Sequence, residues 1–96
     1  MQEIVKKAAK YFSSKPIKKA YIFGSFARDE QGLDSDLDIL VDLDYEAGAD
    51  YFMFMEMQEQ LSELLNIKVD LVSSNGLSRF VKPYIEKEKK LIYERS

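Results

Sequence analysis

Three acidic residues and a glycine–serine step are the groups through which this chain could do chemistry. Asp36 and Asp38 stand two apart in Asp34-Ser35-Asp36-Leu37-Asp38-Ile39-Leu40-Val41-Asp42. Leu37, Ile39, Val41 and Leu43 alternate there with Asp36, Asp38, Leu40 and Asp42, which is the period of a strand. Residues i and i+2 of a strand project to one face, about 7 Å apart along it. Asp36 and Asp38 should therefore converge on one side while Leu37, Ile39 and Val41 face a core. Neighbouring carboxylates repel unless a cation or a proton lies between them. Their spacing suits Mg²⁺, which prefers oxygen ligands and keeps room for phosphate oxygens.

Ahead of this pair lies Phe23-Gly24-Ser25-Phe26-Ala27-Arg28, where a short apolar run stops at Gly24. Gly24 and Ser25 can offer backbone N–H groups and a hydroxyl to a phosphate at the start of a helical turn. A third acid, Asp70, sits between Val69 and Leu71 on another apolar run, pointing away from the core face. Carboxylates that hold metal ions over a phosphate can stabilise the entering and leaving oxygens of an in-line displacement. Taken alone, a Gly-Ser pair is mostly a turn, an Asp-x-Asp is usually a solvated loop or a calcium site, and Asp70 would be a strand-end carboxylate. An EF-hand is excluded: counting from Asp34, its sixth position falls on Ile39 instead of Gly, and its twelfth on Tyr45 instead of Glu.

The elements that must position these groups are legible in order. Ile4, Val5, Ala8, Ala9 and Phe12 predict an amphipathic helix over 2–13, ended by Ser13-Ser14-Lys15-Pro16. A strand follows over about 19–23, then a helical turn over 25–30, a polar loop over 29–35, and the Asp36–Asp38 strand over about 37–43. The longest helix is expected over 50–66, with Phe54, Met57, Leu61, Leu64 and Leu65 as its core stripe and Asn66 as its stop. Tyr51, Phe52, Met53 and Met55 widen its apolar surface beyond what one sheet can cover. A third strand spans 67–72. A helix over 78–87, regular only from Lys82 because of Pro83, precedes a short strand or helix extension at Leu91-Ile92-Tyr93.

Composition narrows the chemistry. At 96 residues the chain is expected to be one domain, 1–96. Its 46% hydrophobic residues suffice for one core, and no run approaches a membrane span or the layout of a signal peptide, so the expected location is cytoplasmic. With no cysteine and no histidine there is neither a thiolate nor an imidazole. Catalysis would fall to carboxylates, amines, hydroxyls and bound ions. A net charge of −3 argues against nucleic acid as the main partner.

Gly24-Ser25, Arg28, Ser35-Asp36-Leu37-Asp38 and Val69-Asp70-Leu71 together resemble the minimal nucleotidyltransferases of the DNA polymerase beta superfamily, over roughly residues 20–72. That resemblance implies an α/β fold, with a small mixed sheet of about four strands, helices packed on one face and the active site on the other. It implies that Gly24 and Ser25 grip the nucleotide triphosphate and that Asp36 and Asp38 hold two Mg²⁺ ions. Asp70 would complete the metal site on the acceptor side or act as base, and Arg28 would brace the loop or the phosphates. Ser35 reads as a turn former that sets Asp36, and Lys68 as a solvated lysine, with help to the phosphates as the alternative. Asp29 departs from the pattern, standing where the family usually has Gly. Stand-alone members resemble antitoxins that move AMP from ATP onto a tyrosine of a HEPN ribonuclease toxin, so the expected partner is such a toxin, with a second copy of the chain as a further candidate. A second class of reading is a non-catalytic module that neutralises its partner by occlusion. The intact set Asp36, Asp38 and Asp70 favours the enzyme.

Overall fold

The computed structural model describes residues 1–95. Its elements run α1 (Gln2–Phe12), β1 (Ile17–Phe23), β2 (Leu37–Leu43), α2 (Tyr51–Leu65), β3 (Val69–Ser73), α3 (Lys82–Glu88) and β4 (Lys90–Glu94), with short 3-10 turns at Tyr45–Ala47 and Ser74–Gly76. The strands form one mixed sheet in the order β3-β2-β1-β4. β1 is antiparallel to both β2 and β4, while β2 and β3 are parallel and joined through α2. This is the α/β arrangement expected from the sequence, and Leu91-Ile92-Tyr93 is strand.

Local chemistry explains the boundaries. The Asp50 side chain accepts the Met53 N–H at 2.8 Å and starts α2. Asn66 ends it in the left-handed region at φ +54. Pro83 sits in the first turn of α3, where its missing N–H costs nothing. A bulge between Ile17 and Lys19 shifts the β1 register, which is why Ile17 and Ala20, three apart, are both buried.

The core lies between the sheet and α1 with α2. Phe12, Ile17, Leu37, Ile39, Val41, Met57 and Leu61 are its fully buried large side chains. The α2 stripe is narrower than the sequence suggests. Met57, Leu61 and Leu65 are buried, and Met53 and Phe54 pack against them, but Leu64 is 44% exposed. Residues 57, 61 and 65 repeat every fourth position along one line, and Leu64 falls about 100° to the side of Leu65. Leu64 is therefore corrected from core to surface. Tyr51 and Phe52 are exposed at 69% and 82%, with Met55 beside them at 44%.

The opposite face of the sheet is not bare. Leu40 is buried there, opposite Tyr21, although it shares that face with Asp38 and Asp42. Lys89, just past α3, lies 4.1 Å from the centre of the Tyr21 ring, so the end of α3 reaches this face. No helix among the described residues is long and apolar enough to cross a membrane.

Candidate active site

Asp38 and Asp70 are register partners. In the parallel β2–β3 pair Leu37 faces Val69, Asp38 faces Asp70 and Ile39 faces Leu71. Leu37, Ile39, Val69 and Leu71 are buried on the core side, which sends both carboxylates to the other side of the sheet. Asp36 immediately precedes β2, two residues before Asp38. The pattern read from the sequence therefore brings all three acids to one edge of one face.

Each acid is held by its own element. β3 is an edge strand, and α2 covers that edge: the Val69 N–H donates to Ser62 Oγ at 3.0 Å, and the Leu71 N–H donates to Gln58 Oε1 at 2.8 Å. These bonds fix the strand that carries Asp70. The Leu37 N–H donates to the Lys68 carbonyl at 2.8 Å and zips the start of β2 to the approach of β3. Ser35 closes the preceding turn, its hydroxyl accepting the Gly32 N–H at 2.9 Å. Lys68 Nζ lies 3.7 Å from Asp36 Oδ2.

Electrostatics single out Asp38. Burial, reinforced by the charges of Asp70 and then Asp36, raises its carboxyl above the ordinary aspartate value. Such a group favours a proton or a cation beside it. Among the described residues no three acidic side chains converge tightly enough to form a metal cage by themselves. Mg²⁺ commonly takes only one or two carboxylates, which Asp38 with a neighbouring acid could supply, and leaves its remaining positions to water and substrate phosphates. The residues present fit such an ion.

Gly24 closes the site from the β1 side. It follows Phe23, which faces Asp38 across the β1–β2 pair, and its φ is +76. A Cβ built on it would overlap Asp38 Oδ2 and stand 3.1 Å from Asp38 Cγ. Glycine is thus required twice, for the backbone conformation and for the approach to the carboxylate. Beyond it the chain makes a helical turn, in which the Arg28 N–H donates to the Gly24 carbonyl at 3.1 Å and the Glu30 N–H to the Ser25 carbonyl at 2.8 Å. Among the described residues the N–H groups of Ser25 and Phe26, at the start of this turn, have no acceptor. Asp29, in the same turn, adopts φ +59. This is the left-handed region that glycine enters freely and aspartate tolerates better than most residues.

One residue of this assembly carries no signal in the sequence. Glu88, the last residue of α3, accepts the Gly24 N–H on Oε1 at 3.0 Å and pairs with Arg28 Nη1 through Oε2 at 2.8 Å. The Arg28 bond, followed by the Gly24 N–H, holds the Glu88 carboxyl below its ordinary value. Arg28 Nε also pairs with Glu30 at 2.8 Å. Its guanidinium therefore ties the turn to α3, and the Gly24 N–H is already committed.

Residues 6–96 match the family described as polymerase beta, nucleotidyltransferase. The chain belongs to this nucleotidyltransferase family. Its sequence is 45% identical over 96 residues to MJ0128 of Methanocaldococcus jannaschii, provisionally named a protein adenylyltransferase, covering 97% of this chain and 93% of that relative. It is 41% identical over 61 residues to the protein adenylyltransferase MntA of Thermococcus cleftensis, covering 64% of this chain and 60% of that one. The fold is similar to a chain of a toxin–antitoxin complex crystallised with AMP-PNP, with TM-score 0.79 and 23% identity over 96% of this chain and 74% of that one. It is also similar to a chain in the complex of a tri-AMPylated Shewanella oneidensis HEPN toxin with an MNT antitoxin, with TM-score 0.72 and 22% identity over 97% and 71% of the two chains. Within the nucleotidyltransferase fold, the carboxylate cluster thus sits on the sheet face opposite α1 and α2, and the Gly24 turn bounds it.

Proposed function

We propose that this nucleotidyltransferase moves AMP from ATP to a hydroxyl, a tyrosine in the reading favoured here, of a partner protein, and acts as antitoxin to a HEPN ribonuclease toxin. The observation that carries the reading is the placement of Asp38 beside Asp70, with Asp36 at the same strand edge and Gly24 leaving no Cβ above Asp38. The relatives named as protein adenylyltransferases, and the complex of an MNT antitoxin with an AMPylated HEPN toxin, support the choice of donor and acceptor.

In this reading the start of the turn, with the Ser25 hydroxyl and the N–H groups of Ser25 and Phe26, receives the phosphates. Gly24, whose missing side chain leaves room for the Asp38 carboxylate, would border them. Arg28 braces the turn through Glu30 and Glu88. Asp36 and Asp38 would hold two Mg²⁺ ions, with Asp70 completing the ligand set on the acceptor side. When bound, the metals offset the charge on the phosphates and favour the deprotonated acceptor oxygen. Alternatively, Asp70 would act as the base that takes the proton of that hydroxyl. The acceptor oxygen attacks the α-phosphorus, the bond to the α–β bridging oxygen breaks, and pyrophosphate leaves.

Incubation with ATP, Mg²⁺ and the product of the neighbouring gene tests this directly. Label from the α-phosphate should appear on that protein, and label from the γ-phosphate should not. Transfer of γ-label would make the reaction phosphorylation, and absence of both would remove the enzymatic reading.

A further inference from the structure

The β1–β4 ladder contains an irregular step whose continuation ends at the site. Tyr21 faces Leu91 and Ile22 faces Lys90. Continued in antiparallel fashion, the same register sets Gly24 opposite Glu88. At that point β4 has already given way to α3, which ends at Glu88. The strand that would have supplied a carbonyl to the Gly24 N–H is absent. The Glu88 side chain supplies the acceptor instead, at 3.0 Å.

The same carboxylate holds Arg28 at 2.8 Å, four residues further along the turn. One side chain thus fixes both ends of the segment Gly24–Arg28. A backbone N–H left unpaired at a partly buried sheet end costs free energy, and the chain would relax to satisfy it. Relaxation here would move Gly24 relative to Asp38, where there is no slack.

We propose that Glu88 is a positioning residue for the nucleotide-binding turn, completing the β1–β4 ladder with its carboxylate so that Gly24 and Arg28 stay in place beside Asp38. This deepens the function proposed above and rests on that reading for its ligand. It also makes the order of the site depend on the docking of α3 and β4, although neither carries one of the three acids. Glu88 acts through Gly24 and Arg28, not on the phosphates.

The test compares wild type, Glu88→Ala and Glu88→Gln by amide hydrogen exchange and by binding of a non-hydrolysable ATP analogue with Mg²⁺. Glu88→Ala should expose the Gly24 amide to exchange about tenfold faster or more. It should also weaken nucleotide binding by about tenfold, the scale of losing a supporting bond behind a ligand site. Glu88→Gln retains an oxygen for the Gly24 N–H but loses the charge that holds Arg28, so it should recover the protection and part of the affinity. Circular dichroism and melting of each variant confirm that folded protein is being compared. Unchanged Gly24 protection in Glu88→Ala would overturn the proposal. So would tighter nucleotide binding, because Glu88 would then be a competitor for the phosphate position. If wild type binds no nucleotide at all, the functional reading fails, and the exchange comparison alone decides whether Glu88 holds the turn.

Discussion

Asp38 on β2 lies directly opposite Asp70 on β3, and the two carboxylates share the face of the sheet turned away from α1 and α2. The pair is asymmetric. Asp38 sits on a central strand under Gly24, whereas Asp70 is exposed on an edge strand. In the proposed function, Asp38 would serve the nucleotide side and Asp70 the acceptor side. Asp70→Asn should bind an ATP analogue and Mg²⁺ almost normally yet fail in transfer, as read by titration and by label incorporation. Equal loss of binding and transfer would move Asp70 to the nucleotide side.

Gly24→Ala should be disproportionately harmful for one methyl group. The added Cβ would overlap the Asp38 carboxylate in a backbone conformation of φ +76. A destabilisation above about 1 kcal/mol in urea melts is expected from the conformation alone. Displacement of Asp38 should also remove transfer activity in whatever protein remains folded. A variant with wild-type stability and activity would show that the approach of Gly24 to Asp38 is not required.

Tyr51, Phe52 and Met55 leave an apolar patch exposed at the start of α2. Aromatic and Met side chains of this kind are enriched where proteins meet. Replacing Phe52 and Met55 with Ser should weaken association with the proposed partner protein, or with a second copy of the chain, by calorimetry or sedimentation. The melting temperature should change little, because both side chains are already exposed. A large fall in melting temperature with association intact would make them core residues.

Asp44 links pH to folding. It accepts the Ala47 N–H at 3.2 Å and pairs with Arg95 at 2.7 Å. The Arg95 bond is the main cause that lowers its carboxyl below the ordinary aspartate value. A carboxyl depressed in the folded state contributes stability above its unfolded pKa and loses it as pH falls through the folded one. Asp44→Ala should destabilise the fold near neutrality, because the Ala47 N–H and Arg95 both lose their partner. The difference from wild type should shrink as the pH is lowered below the ordinary carboxylate range in urea titrations. A difference independent of pH would exclude the charge of Asp44 as its source.

The acid cluster was legible because it is local. Period-two alternation around Asp36 and Asp38, and around Asp70, states which face each side chain takes, and the order of elements supplies the sheet. Leu64 was misplaced because apolar periodicity marks a helix face only to within a residue, whereas packing against this sheet uses the single line Met57–Leu61–Leu65. Leu40 is buried among polar neighbours because a central strand is covered on both faces, which its own alternation cannot reveal. Glu88 was invisible for a different reason. It lies 64 residues from Gly24, in a charged stretch where any glutamate looks solvated, and only the β1–β4 register brings it to the turn.

The central claim is that the carboxylates on this face transfer AMP. Intact-mass spectrometry of the partner protein, after incubation with ATP, Mg²⁺ and either wild type or Asp38→Asn, addresses it most directly. Wild type should add whole AMP groups to a hydroxyl of the partner. Asp38→Asn should add none while remaining folded, with a melting temperature equal to or slightly above wild type, because a repelling charge has been removed. An unmodified partner with wild type, or a partner modified equally by Asp38→Asn, would contradict the account.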